Sequence, residues 1–124
     1  MDSPGDARPL SADEADVLAL LLAQHFPGAV QLRLQARRVL AAPGCACGCG
    51  TIALHVTDVH APRAHLLDEH PASADFAAPG QGGVVTLITA DGLLQELRLS
   101  WWGEDPTPMP RAVDLTHLWC ATGG

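Results

Sequence analysis

The chain has 124 residues, 48% of them hydrophobic, and a formal charge of −7 from 14 acids and 7 bases. That length suits one domain, and the hydrophobic content argues against wholesale disorder. The acidic balance disfavours nucleic acid and anionic membrane surfaces, and the longest near-unbroken apolar run, Val17 to Ala23, is far short of a bilayer span.

Residues 1–9 are proline- and glycine-bearing, acidic and without periodicity. They read as a flexible tail with no apolar core of a secretory signal, which points to a cytoplasmic protein. Ser11-Ala12-Asp13-Glu14 then fits a capping box, and Val17, Leu18, Leu21, Leu22 and His25 form an apolar stripe at helical spacing. A helix is expected over 12–25, stopped by Phe26-Pro27-Gly28. Residues 29–42 carry two signals, a strand-like alternation and helix-favouring residue types. The reading adopted is a short helical turn near 29–36 and a strand near 37–42 that ends at Pro43-Gly44.

Thr51 to Val59 alternates as a half-buried strand, with Ile52, Leu54 and Val56 on one side and Ala53, His55 and Thr57 on the other. Residues 60–82, broken by prolines and glycines, read as a long surface loop. Asp91-Gly92 between two apolar runs marks a two-residue hairpin turn. The expected register sets Ala90 opposite Leu93, Ile88 opposite Gln95, Thr86 opposite Leu97 and Val84 opposite Leu99. That places Val84, Ile88, Ala90, Leu93, Leu97, Leu99 and Trp101 on one face and Glu96 and Arg98 on the other. Residues 103–124 begin as an extended proline-rich segment, and Val113, Leu115, Leu118 and Trp119 suggest a last short element that docks back. The fold class these readings imply is α+β. The sheet is small, antiparallel or mixed, with about four strands near 37–42, 51–59, 84–90 and 93–102, and the N-terminal helix packs on one face. Residues 10–124 form one domain.

Cys45, Cys47 and Cys49, flanked by Gly44, Gly48 and Gly50, make the one chemically loaded cluster. Alternate side chains of a straight strand stand about 7 Å apart. Thiolates around zinc must approach to about 3.8 Å. The glycines would therefore have to fold the segment back, with a fourth ligand from Cys120 or His55. Zinc is the candidate cofactor of that reading. Its one-residue gaps depart from the usual two-residue spacing of paired zinc cysteines. The competing readings are small apolar filling and reversible thiol chemistry, the latter with Arg37 and Arg38 as the nearest groups to lower a thiol pKa. His55, His60, His65 and His70 recur every five residues, which shares neither a helical nor a strand face and reads as chance.

No phosphate loop, nucleophile elbow or metalloprotease motif is present, which leans away from an enzyme. A site built from the long loop with His55 or His60 is the one catalytic arrangement left open. Trp101 and Trp102 must point to opposite faces of a strand, so one is core. Trp102, beside Glu104 and Pro106, is either a contact anchor or covered by the proline segment.

Taken together, the capped leucine helix ending Phe26-Pro27-Gly28, Leu32-Arg33-x-Gln35, Cys45-x-Cys47-Gly48-Cys49, Asp91-Gly92-x-Leu94 and Trp101-Trp102-Gly103 resemble a family of small proteins of high-GC Gram-positive bacteria. The likeness spans about residues 11–110. The family has no assigned activity, so the resemblance implies no catalytic residue and no ligand; it favours helix over 29–36. The function expected is a non-catalytic interaction module binding another protein or a second copy through Trp102, Glu104 and Pro106. The alternative is a thiolate metal or redox protein.

Overall fold

The computed structural model describes residues 7–44, 49–104 and 106–121. The chain forms strand β1 (Arg8–Pro9), helix α1 (Ala12–Leu22), helix α2 (Ala29–Ala36) and strands β2 (Val39–Pro43), β3 (Ile52–Val56), β4 (Ala72–Ala78), β5 (Gln81–Ala90) and β6 (Leu93–Trp101). A 3-10 turn (Ala112–Asp114) leads into β7 (Leu115–Cys120). All strands belong to one antiparallel sheet of order β1-β2-β3-β6-β5-β4-β7.

Helix α1 starts where its capping residues require. The Glu14 amide donates to Ser11 Oγ at 3.2 Å and the Ser11 amide donates to the Glu14 carboxylate at 2.8 Å. The same carboxylate receives both guanidinium nitrogens of Arg8 at 2.7 and 2.8 Å, which ties β1 to the helix. Val17, Leu18, Leu21 and Leu22 are buried together with Leu32 of α2, Leu54 of β3, Phe76 of β4, Val85 and Leu87 of β5, and Leu97 and Leu99 of β6. Both helices therefore lie on one face of the sheet.

The expected sheet of about four strands is wrong. Among the described residues there are seven strands and two short helices, so the molecule is mostly sheet. Three strands lie where sequence gave no strand. β4 runs through the supposed surface loop 60–82. Its Ala72, Ala74 and Phe76 point into the core and Ser73 and Asp75 away, an alternation hidden because alanine is a weak strand former with little side chain to bury. β1 occupies the end of the supposed tail. β7 is the docking element beyond the prolines, and it pairs with β4, so neither strand had a partner in the four-strand scheme.

The hairpin turn is as expected. Asp91 and Gly92 both adopt positive φ, 53° and 79°, and Ala90 pairs with Leu93. The register beyond it is not. Thr89 pairs with Leu94 but Ile88 with Glu96, so Gln95 is bulged out and every later pair is shifted by one. Thr86 faces Arg98 and Val84 faces Ser100. Val85, Leu87 and Thr89 hold the core face of β5 in place of Val84, Ile88 and Ala90. The bulge lets Leu94, Leu97 and Leu99, spaced three and then two apart, all turn inward. The Leu94 N–H at this irregularity is satisfied by Gln35 Oε1 at 2.9 Å.

Candidate functional site

The face of the sheet opposite the helices carries no packed element among the described residues. From the pairing it presents Leu40 on β2, Ala53 and His55 on β3, Glu96, Arg98 and Ser100 on β6, Val84, Thr86 and Ile88 on β5, Ser73 and Asp75 on β4, and His117 and Trp119 on β7. Ile88 is buried yet absent from the core cluster, as a residue of the second face must be.

Trp102 sits at the end of β6 on this face. Its amide donates to the Gly82 carbonyl at 2.9 Å, and a Cβ built on Gly82 would lie 3.0 Å from its indole Cδ1. The ring therefore lies over the β5 backbone at Gly82. It is 67% exposed, and Glu104 and Pro106 beside it are exposed too. The proline segment does not cover it. That segment turns back on the β2–β3 loop, where Gly50 N–H donates to the Thr107 carbonyl at 2.8 Å and Thr107 is 4% exposed. The fit is possible because residue 50 is glycine, since a Cβ there would overlap the Met109 amide nitrogen.

A second feature lies where β3 and β6 part. These strands pair only through Ile52–Leu97 and Ala53–Glu96. Beyond that point Thr51 replaces the ladder: its Oγ1 accepts from the Leu99 N–H at 2.9 Å. The resulting groove, about 310 Å³, is lined by Cys49, Thr51, Glu96, Arg98 and Trp101 among others. Arg98 is bound to Glu96 at 2.8 Å. Cys45 and Cys47 lie outside the described residues.

The sheet keeps the other expected ligands apart. His55 is on the open face of β3, opposite Leu40. Cys120 is on β7, four strand intervals from β3, about 19 Å along the sheet, with its Sγ 3.6 Å from the His25 carbonyl. Cys120 thus cannot close a coordination shell with Cys49 or His55. Among the described residues no group of three or more His, Cys, Asp or Glu is placed to hold a metal ion. Arg37 and Arg38 precede β2 and lie roughly 20 Å of strand away from the Cys49 end, so the arginine of the groove is Arg98. Nothing near position 98 in sequence links it to Cys49; the link is the β3–β6 pairing.

A third feature is an open cleft of about 520 Å³ lined by residues 64–69 with Thr89, Asp91 and Gly92. Its histidine is His65, and neither His55 nor His60 lines it. Among the described residues no helix is long and apolar enough to cross a membrane.

No family model matches the chain, and neither a curated protein nor a solved structure is significantly similar to it.

Proposed function

We propose that the chain is a non-catalytic protein-interaction module, working in the cytoplasm, that holds its partner through Trp102. The observation that carries this reading is a tryptophan two-thirds exposed on an uncovered sheet face, with the exposed carboxylate of Glu104 beside it. An exposed indole is a large rigid anchor that gains most when a partner desolvates it. The net charge of −7 and the neighbouring acid favour a basic partner segment, whose arginine or lysine would lie on the indole face. A reducing compartment suits a chain with Cys45, Cys47, Cys49 and Cys120.

Cross-linking followed by affinity capture tests it, with wild type compared against Trp102→Ala and, as a surface control, Val59→Ala, whose side chain is exposed away from both Trp102 and β7. Partners retained by wild type and by the control should be lost with Trp102→Ala while far-ultraviolet circular dichroism stays unchanged. Equal retention by both variants defeats the proposal. Glu104→Lys should weaken capture, most at low salt.

The thiol reading is favoured by one observation, the position of Cys49 in the β3–β6 groove. It requires the sulfurs of Cys45 and Cys47 to join Cys49 without Cys120. Elemental analysis of protein purified without chelator decides it: metal well below one ion per chain, together with unperturbed thiol reactivity, removes both its forms.

A further inference from the structure

The two edges of the sheet differ. β1 is two residues long and ends in Pro9, which has no N–H to offer a neighbour. β7 is six residues long, and four of the six are exposed. Leu118 is 36% and Trp119 42% exposed, and Val113 extends the apolar strip just before the strand. A bulge at Thr116 interrupts the pairing of β7 with β4, but residues 117–120 beyond it form a regular edge with none of the lysines or prolines that ordinarily blunt one. We infer that β7 pairs antiparallel with the β7 of a second copy of this chain, joining two sheets into one.

The hydrogen-bond phase of the edge is fixed. Ala121 N–H donates to the Pro71 carbonyl at 2.9 Å, and Cys120 pairs with Ala72. In an antiparallel ladder the backbone groups alternate in direction. Residues 121, 119 and 117 therefore turn towards β4, and Leu118 and Cys120 present their N–H and C=O outwards. A two-fold axis at Leu118 sets each Leu118 against its own counterpart as a hydrogen-bonded pair. His117 of one copy then stands opposite Trp119 of the other in a non-hydrogen-bonded pair, where side chains approach most closely. Within one chain these rings already lie with centroids 5.7 Å apart. The register thus assembles two imidazoles and two indoles on the open face.

Charge favours a second copy as the occupant. Leu115–Cys120 contains no Asp, Glu, Lys or Arg in a chain of net charge −7. Two such edges can meet without like-charge repulsion at the seam, and neither offers a charge to select a foreign strand. This inference goes beyond the Trp102 reading and is independent of it.

Sedimentation equilibrium of the full chain from low to high micromolar concentration is the test. Wild type should be a dimer at the upper end. Leu118→Lys and Trp119→Glu, both at exposed positions, should be monomers at the same concentration with unchanged circular dichroism. A wild type that stays monomeric, or variants that still dimerise, would overturn the proposal. Hydrogen exchange on wild type supplies a readout that needs no variant. The Leu118 and Cys120 amides should become more protected as concentration rises, and exchange independent of concentration also overturns it. Trp102→Ala should dimerise like wild type, so failure of one reading leaves the other standing.

Discussion

Gln35 is completely buried, and all its polar atoms are used. Its Nε2 donates to the carbonyls of Pro62 and Gly92, each at 2.8 Å, while Oε1 accepts from the Leu94 N–H at 2.9 Å. One amide thus joins α2, the loop after β3 and the β5–β6 turn. Replacing it by methionine keeps most of the volume and strands the Leu94 N–H and the Pro62 carbonyl, while the Gly92 carbonyl keeps the Ala64 N–H at 3.0 Å, so Gln35→Met should destabilise the fold by about 2 to 3 kcal/mol, read by urea unfolding. Thr51→Val should cost about 1 to 2 kcal/mol by the same measurement, because it removes only the acceptor for the Leu99 N–H. Neither role was legible in the sequence. Gln35 looked like one polar member of an alternation, and its partners are 27, 57 and 59 residues away. The Ser11–Glu14 cap was legible because its whole geometry is local.

The Arg8 guanidinium, hydrogen-bonded to Glu14, holds that carboxyl below the usual carboxylate range, against the opposing effect of burial. A folded-state pKa depressed in this way adds stability above the unfolded value that is lost as pH falls through the folded one. Glu14→Gln should therefore be about 1 kcal/mol less stable than wild type near neutrality. That difference should shrink on acidification below about pH 4. A difference that stays constant between pH 7 and strong acid would contradict the assignment.

At the level of elements, legibility followed the strength of the side-chain pattern. The leucine stripe of α1 and the alternating Ile52–Leu54 strand announced themselves through large apolar residues. β4, built largely from alanine, did not. The hairpin shows how a correct turn can carry a wrong register. Asp91-Gly92 set the first two pairs, and then a single unpaired residue, Gln95, moved Leu97 from Thr86 to Leu87. The spacing of Leu94, Leu97 and Leu99 was the available sign of that bulge, since strict alternation cannot place all three inward. The candidate site was legible in part. Trp102 was identifiable, because adjacent tryptophans cannot both enter the core, but what the prolines cover was not. The answer lies in Gly50, a residue 57 positions from Thr107 in contact terms set only by folding. Gly50→Ala should lift residues 106–110 off the β2–β3 loop at a cost of about 2 kcal/mol. Limited proteolysis after Arg111 should then become faster than in wild type.

For the whole molecule, net charge and edge chemistry act in opposite directions. Each copy carries −7, so two copies repel at long range although their β7 strands are neutral. Salt should therefore tighten the self-association inferred for β7, by screening repulsion over distances beyond the seam. Equilibrium sedimentation at low and high ionic strength should show the dimer favoured at high salt, and the opposite trend would mean that the seam contains ion pairs.

The unequal margins of the sheet also bear on how far assembly can proceed. Joining two molecules along β7 would consume the one long open margin among the described residues of each. The outermost rows of the combined sheet would then be the two Pro9-bearing stubs, two residues long and poor templates for another strand. If β7 pairs as inferred, growth should halt after one addition, so sedimentation should show a closed pair and no species larger than a dimer.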